Sequence, residues 1–203
     1  MIKFQIILIT VLIGCILFVS CERGEQMMGT ALPVEGTMDP TEMVEMTETS
    51  DASPTGPSVV INELMADNDN TIADPQGDYD DWLELYNLTD SPVMLTGMYL
   101  SDKEDNPTKW AFPENTEIPA NGYLIVWLDE DGEDAPDGLH ANFKLSKGGE
   151  VAMLVGPDAE GNQILDSITF GDQETDTAYG RFPDGTGAFQ IVAATPGTPN
   201  MPN

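Results

Sequence analysis

The 203-residue chain carries 36 acidic residues against 7 basic ones, a formal net charge of −29 at pH 7. A surface of that sign repels nucleic-acid phosphates and anionic lipid headgroups, which excludes nucleic acid as a partner and membrane contact through the folded surface. A hydrophobic share of 40% suits one globular core. Both cysteines, Cys15 and Cys21, lie near the N-terminus, so nothing beyond them can form an intrachain disulfide, a thiolate zinc site or a thiol nucleophile.

Met1-Ile2-Lys3 supplies a short basic start, and Phe4 to Ser20 is almost wholly apolar. Charged Glu22 and Arg23 come directly after Cys21. This pattern reads as an export signal over 1–20. Leu17-Phe18-Val19-Ser20-Cys21 looks like a lipobox, with a small residue before the cysteine that becomes lipidated. Leu12-Ile13-Gly14-Cys15 is a competing local match, but the apolar run continues past Cys15 and stops at Cys21. An uncleaved anchor is the alternative, because the run sits near the lower limit of about 17 residues for a spanning helix. Residues 21–58 form an acidic Gly/Pro/Thr/Ser linker, too poor in aromatic and β-branched residues to repay its ordering. As a coil it would span roughly 30–35 Å, a tether for the domain on its C-terminal side. An exported chain with a disulfide-free domain suits a bacterial envelope protein, membrane-anchored and facing outward.

The domain is expected over 59–203. Val59 to Met65 has strand composition, and Asp67 to Asp80 is a polar loop. In Asp81-Trp82-Leu83-Glu84-Leu85-Tyr86-Asn87 the period of two puts Leu83 and Leu85 on one face. Trp82, Glu84 and Tyr86 take the other, so the strand should be covered on both sides and Glu84 should need a partner. Short strands are expected at Met94-Leu95, 98–101 and 108–112, then a turn at Asn121-Gly122 and a central buried strand over 123–128. After the acidic loop 129–138 come strand candidates at 139–145, 151–155, 163–170, 178–182 and 189–192. In 163–170 the alternation places Ile164, Asp166, Ile168 and Phe170 on one face. Trp82, Leu85, Ile125, Trp127, Val151, Leu154, Ile168 and Phe170 should be largely buried. Many short strands with Gly, Pro and Asn turns, and no helical period, predict an all-β fold, an immunoglobulin-like β-sandwich.

The ordered set of segments resembles the lamin tail domain family. The residues that carry it are Ile61-Asn62-Glu63-Leu64-Met65-Ala66, Asp81 to Asn87, Gly97 to Asp102, Trp110-Ala111-Phe112-Pro113 and Ile118 to Tyr123. Leu139 to Leu145 with Gly148-Gly149-Glu150, Asp166 to Gly171, Tyr179 to Gly185 and Thr195-Pro196-Gly197 complete it. The resemblance implies an immunoglobulin-like sandwich and a non-catalytic module that binds protein partners. The family's chromatin binding in nuclear lamins does not carry over to so acidic a domain, and without a coiled-coil rod neither does filament assembly.

Several residues are candidates for chemistry. His140 is the sole histidine and could act as a base or ligand, though backbone hydrogen bonding is the plainer role. Glu63, Glu84 and Asp166 could form an acid/base pair, as in an extracellular hydrolase, but suit a structural role accepting N–H bonds, with Arg181 bridging to one of them. Asp67, Asp69, Asp74, Asp78 and Asp80 crowd one loop and could hold calcium, the one cofactor the sequence suggests. Asp129, Asp131, Asp134 and Asp137 crowd another, without EF-hand spacing, and are candidate binding residues. Trp82, Trp110 and Trp127 are core residues or a sugar-stacking platform. The expected function is a lipid-anchored, surface-displayed binding or structural module for a protein or cell-surface polymer. A calcium-dependent adhesion or carbohydrate-binding module is the alternative.

Overall fold

Strand β1 (Val59–Met65) is buried along its whole length, although Asn62 and Glu63 interrupt its apolar run. Its register against β2 (Asp81–Asn87) slips between Ile61 and Glu63. This bulge inserts one extra residue, so Asn62 and Glu63 face the same side in succession while Ile61 and Leu64 both enter the core. In β2 the alternation holds as expected: Leu83 and Leu85 join the main core, and Trp82 joins a second cluster on the opposite face with Met65, Trp127, Ala178 and Val192.

The structure is a computed structural model that describes residues 56–130 and 137–203. The export segment, Cys15, Cys21 and the linker as far as residue 55 lie outside the described residues, as do Asp131 and Asp134. In chain order, β2 is succeeded by β3 (Val93–Met94), β4 (Tyr99–Ser101), β5 (Trp110–Ala111), β6 (Glu117–Ile118) and β7 (Tyr123–Leu128). Next are β8 (His140–Ala141), β9 (Val151–Val155), β10 (Ile164–Thr169), β11 (Ala178–Phe182), β12 (Ala188–Ala193) and β13 (Met201–Pro202). A single 3-10 turn, Asp158–Glu160, is the only helical element among the described residues.

One sheet runs β13-β12-β11-β1-β2-β7-β8, and the opposing one runs β10-β9-β4-β5. A small β3-β6 ladder stands apart from both. All pairings are antiparallel except β7 with β8. The main core, with Leu64, Leu83, Leu100, Trp110, Val126, Leu154 and Phe170, is the immunoglobulin-like sandwich filling.

Some expectations need correction. The centre of the large sheet is β1, not β7, whose first half is only partly buried. Of the expected core, Trp82, Leu85, Trp127, Leu154 and Phe170 are buried. Ile125, Val151 and Ile168 are half-buried because they sit on an outer face, at a strand start and on an edge strand. In β10 a bulge between Ile164 and Asp166 breaks the alternation. Ile164 is therefore turned out, 56% exposed, while Leu165 and Ile168 pack on the core. Segment 139–145 forms a strand only at His140–Ala141. The two sheets are tied by Arg181, expected to bridge to one of the strand carboxylates: its Nη2 donates to both oxygens of Asp166, at 3.0 and 3.1 Å.

Gly180 faces Glu63 across the β1–β11 ladder, and a Cβ there would lie 2.8 Å from Asn200 Nδ2. That amide donates to the carbonyls of Asn62 and Arg181, which ties the C-terminal segment to the sheet. Gly180→Ala should therefore displace Asn200 and cost about 1–3 kcal/mol by overpacking, read by denaturant unfolding. An unchanged unfolding midpoint would show that Asn200 does not hold this segment.

Candidate functional site

The loop between β1 and β2 meets the described ends of the second acidic loop, at Asp129 and Asp137. The loop between β1 and β2 is built around Asn68. Its Oδ1 accepts the N–H of Thr71 at 3.0 Å, and its Nδ2 donates to the carbonyls of Ile72 at 2.7 Å and Asp80 at 2.8 Å. Ile72 packs on the Trp82 cluster and pins the loop to the sheet. Farther along, Asp74 Oδ1 accepts the N–H groups of Gln76, Gly77 and Asp78 at 2.7–3.0 Å. Gly77 makes this turn possible with φ +99°.

The second loop is anchored at both ends by His140. Asp129, at the end of β7, pairs through Oδ2 with His140 Nδ1, and His140 Nε2 lies 2.8 Å from the carbonyl of Asp137. Gln76 Nε2 donates to the same carbonyl at 3.1 Å, which joins the two loops. Gly138, with φ +92°, passes where a Cβ would lie 3.0 Å from His140 Nε2 and 3.3 Å from Pro75. A carbonyl oxygen can only accept, so Nε2 carries a proton; with Nδ1 facing a carboxylate, the ring is held as an imidazolium. Burial works against that charge, yet the bonds to Asp129 and to the Asp137 carbonyl raise its pKa above the usual value. His140 is thus a buried counter-ion that closes the loop, the packing role expected of it.

Asp74, Asp129 and His140 offer ligand atoms within 4.8 Å of one another. Two carboxylates and an imidazole are a poor calcium set, because calcium takes six to eight oxygens. Both ring nitrogens are also already engaged. The five aspartates considered for calcium do not converge. Asp67 accepts from Lys147 and Thr175, while Asp69 gives its backbone N–H to Asp176 at 2.8 Å. Asp78 offers its carbonyl to the Asp74 N–H at 2.9 Å, and Asp80 faces Lys144 at 3.7 Å. Asp74 alone reaches the His140 group. Of the second loop, Asp129 and Asp137 are described, and Asp137 contributes its carbonyl.

The carboxylates on the strands lie elsewhere, on the outer face of β1 and β2. Glu63 accepts from the N–H and hydroxyl of Thr195 at 3.1 and 3.2 Å. Glu84 accepts from Asn62 Nδ2 at 3.1 Å and from the Gly197 N–H at 2.5 Å. Burial pushes Glu63 up to about 7 and Glu84 up to about 8, against the lowering effect of those bonds. Raised pKa values can mark a general acid. Both residues, however, are fully buried beneath the C-terminal segment, where no substrate reaches them. The three tryptophans are buried too, at 0% for Trp82, 8% for Trp110 and 6% for Trp127, so they form no sugar platform. The sequence did not reveal how Asn62, Asp184 and Asn200 bind this network together; adjacent polar residues inside the β1 run were the one visible signal.

The match to known families agrees with this architecture. No curated protein matches the chain. The Lamin Tail Domain model matches residues 52–172, which takes in β1 to β10, and β11 to β13 complete the same large sheet beyond it. With more than half its length matched and an immunoglobulin-like sandwich in place, this chain belongs to the Lamin Tail Domain family.

Proposed function

We propose that this chain is a non-catalytic display module, exported, lipid-anchored through Cys21 and tethered by its acidic linker. It engages a cationic protein or cell-surface polymer through the acidic end of the sandwich. The observation that supports this reading is that Gln76 and His140 join the β1–β2 loop to the described end of the second acidic loop at Asp137. The domain's cations neutralise this acidic end only in part: Lys147 and Lys144 pair with Asp67 and Asp80 of the first loop, while Lys109 and Arg181 are held elsewhere by Asp102 and Asp166. Loops held on a rigid sheet are the usual carriers of binding function.

The test replaces Asp69, Asp78, Asp131 and Asp134 by Asn, leaving Asp74 and Asp129 to hold their loops. Binding to intact cells should fall while the melting temperature stays close to that of the parent chain. Parent binding should also weaken as salt rises, because the Debye length shrinks from about 10 Å at 0.1 M to about 3 Å at 1 M. Undiminished binding by the variant, or turnover of a substrate by the purified protein, overturns the proposal. Mass spectrometry of the mature N-terminus tests the anchor: a lipidated Cys21 is expected, and a start at Cys15 or an intact leader overturns it.

A further inference from the structure

A second acidic feature lies away from that end, where the chain crosses from β10 to β11. A cavity of about 290 Å³ opens there, lined by Tyr179 and Ile191 and by Asp172, Gln173, Glu174 and Thr177. Ile191 is 56% exposed on its strand. Tyr179 lies opposite it across the β11–β12 ladder and stacks on Phe189, with ring centroids 5.4 Å apart.

Among the described residues, neither Asp172 nor Glu174 has an ion-pair or side-chain hydrogen-bond partner. The nearby cations are committed elsewhere. Arg181 lies over Phe189 and is held by Asp166, and Lys147 is held by Asp67 and Thr175. The wall is fixed in advance. Gln173 N–H donates to the Lys147 carbonyl at 2.8 Å, and Asp176 N–H donates to the Asp67 carbonyl at 2.8 Å. Asp176 Oδ1 in turn accepts the N–H groups of Asp69 and Asn70, each at 2.8 Å. A preformed wall needs little ordering when a ligand arrives.

We infer that this cavity is a socket for a lysine or arginine side chain of a partner protein, its aliphatic stem on Ile191 and Tyr179 and its charged head between Asp172 and Glu174. The inference rests on the reading that the partner is cationic, and places a contact outside the two acidic loops. Both halves of such a side chain are matched: an apolar stem covers apolar surface while its head stays polar and paired. A second copy of this chain is a poor occupant, because two surfaces this acidic repel each other.

The test is an NMR titration of the full chain in detergent micelles with Nα-acetyl-lysine methylamide, and in parallel with the uncharged norleucine analogue. The lysine probe should shift the amides of 171–174 and Ile191 saturably, and the norleucine probe should not. Asp172→Asn with Glu174→Gln should weaken the response about tenfold or more, as expected for losing charge-assisted bonds. Ile191→Lys, which supplies an ammonium from the chain itself at an exposed position, should abolish the response without unfolding. Equal response to both probes, or shifts spread evenly over all acidic loops, overturns the socket. So does an undisturbed Ile191→Lys variant. Cell binding separates the two proposals: if the loop variant loses it and Ile191→Lys keeps it, the socket fails and the acidic-end reading stands.

Discussion

The domain should melt at a higher temperature at pH 5 than at pH 8, the reverse of ordinary acid denaturation. Burial raises Glu84 to about 8 and Glu63 to about 7, and raises Asp81 to about 7 against the N–H bond from Leu145. A carboxyl group whose folded pKa lies above its unfolded value holds a proton that the unfolded chain has released. Its stabilisation is complete below pH 4.5 for the glutamates and is lost as pH rises through 7 and 8. Each group can cost up to about 1.4 kcal/mol per pH unit inside that window. His140, raised by Asp129, acts in the same direction, since its favoured charge is lost as pH climbs. Asp67, lowered by Lys147, and Asp176, lowered by the Asn70 N–H, act oppositely but only below the normal aspartate range. A net loss of about 3 kcal/mol from pH 5 to pH 8 would lower the melting temperature by roughly 6–12 °C. Glu84→Gln should flatten the profile. A melting temperature that is constant or rising over this range would show that Glu63 and Glu84 are ionised in the folded protein.

Arg181→Met should destabilise the domain by about 3–5 kcal/mol, because it strands a largely buried aspartate. The guanidinium donates through Nη2 to both oxygens of Asp166, through Nε to the Ile61 carbonyl at 2.9 Å and through Nη1 to the Gly187 carbonyl at 3.2 Å. It also lies 4.6 Å from the Phe189 ring centroid. Methionine keeps much of the stem and none of these bonds. The side chains of Arg181 and Asp166 are only 18% and 13% exposed, so water cannot fully take over. The Asp166→Asn, Arg181→Met double variant should be more stable than Arg181→Met alone, since it removes the stranded charge. A loss below about 1 kcal/mol in the single variant would place this pair among weak surface bridges.

The fold is legible in the sequence wherever local pattern decides structure. In β2 the alternation of Leu83 and Leu85 with Trp82 and Glu84 is undisturbed, so faces and burial could be read directly. A bridge from Arg181 to one of Glu63, Glu84 and Asp166 was foreseen because arginine suits bidentate pairing, and Asp166 is the partner. Bulges defeated the same logic in β10, where one extra residue turned Ile164 outward and Leu165 inward. β13 went unseen because its two residues include a proline and exist only as an addition to β12. The acidic loops were legible as charge but not as geometry. Nothing in Asp67 to Asp80 says which aspartate turns toward His140 and which toward Lys147, since those partners arrive from distant strands.

The position of β11 also sets an order in time. β1 lies fourth of seven strands in the large sheet, between β2 and β11. As a nascent chain grows from its N-terminus, β2 arrives early, but β11 does not begin until Ala178. Through that interval β1 keeps a bare edge, a template for pairing with other chains. Arg181 comes later still, and Thr195 and Gly197, which cover Glu63 and Glu84, come last. The central ladder of the large sheet is thus closed by one of the last strands to be made, and its long sequence separation makes that closure slow.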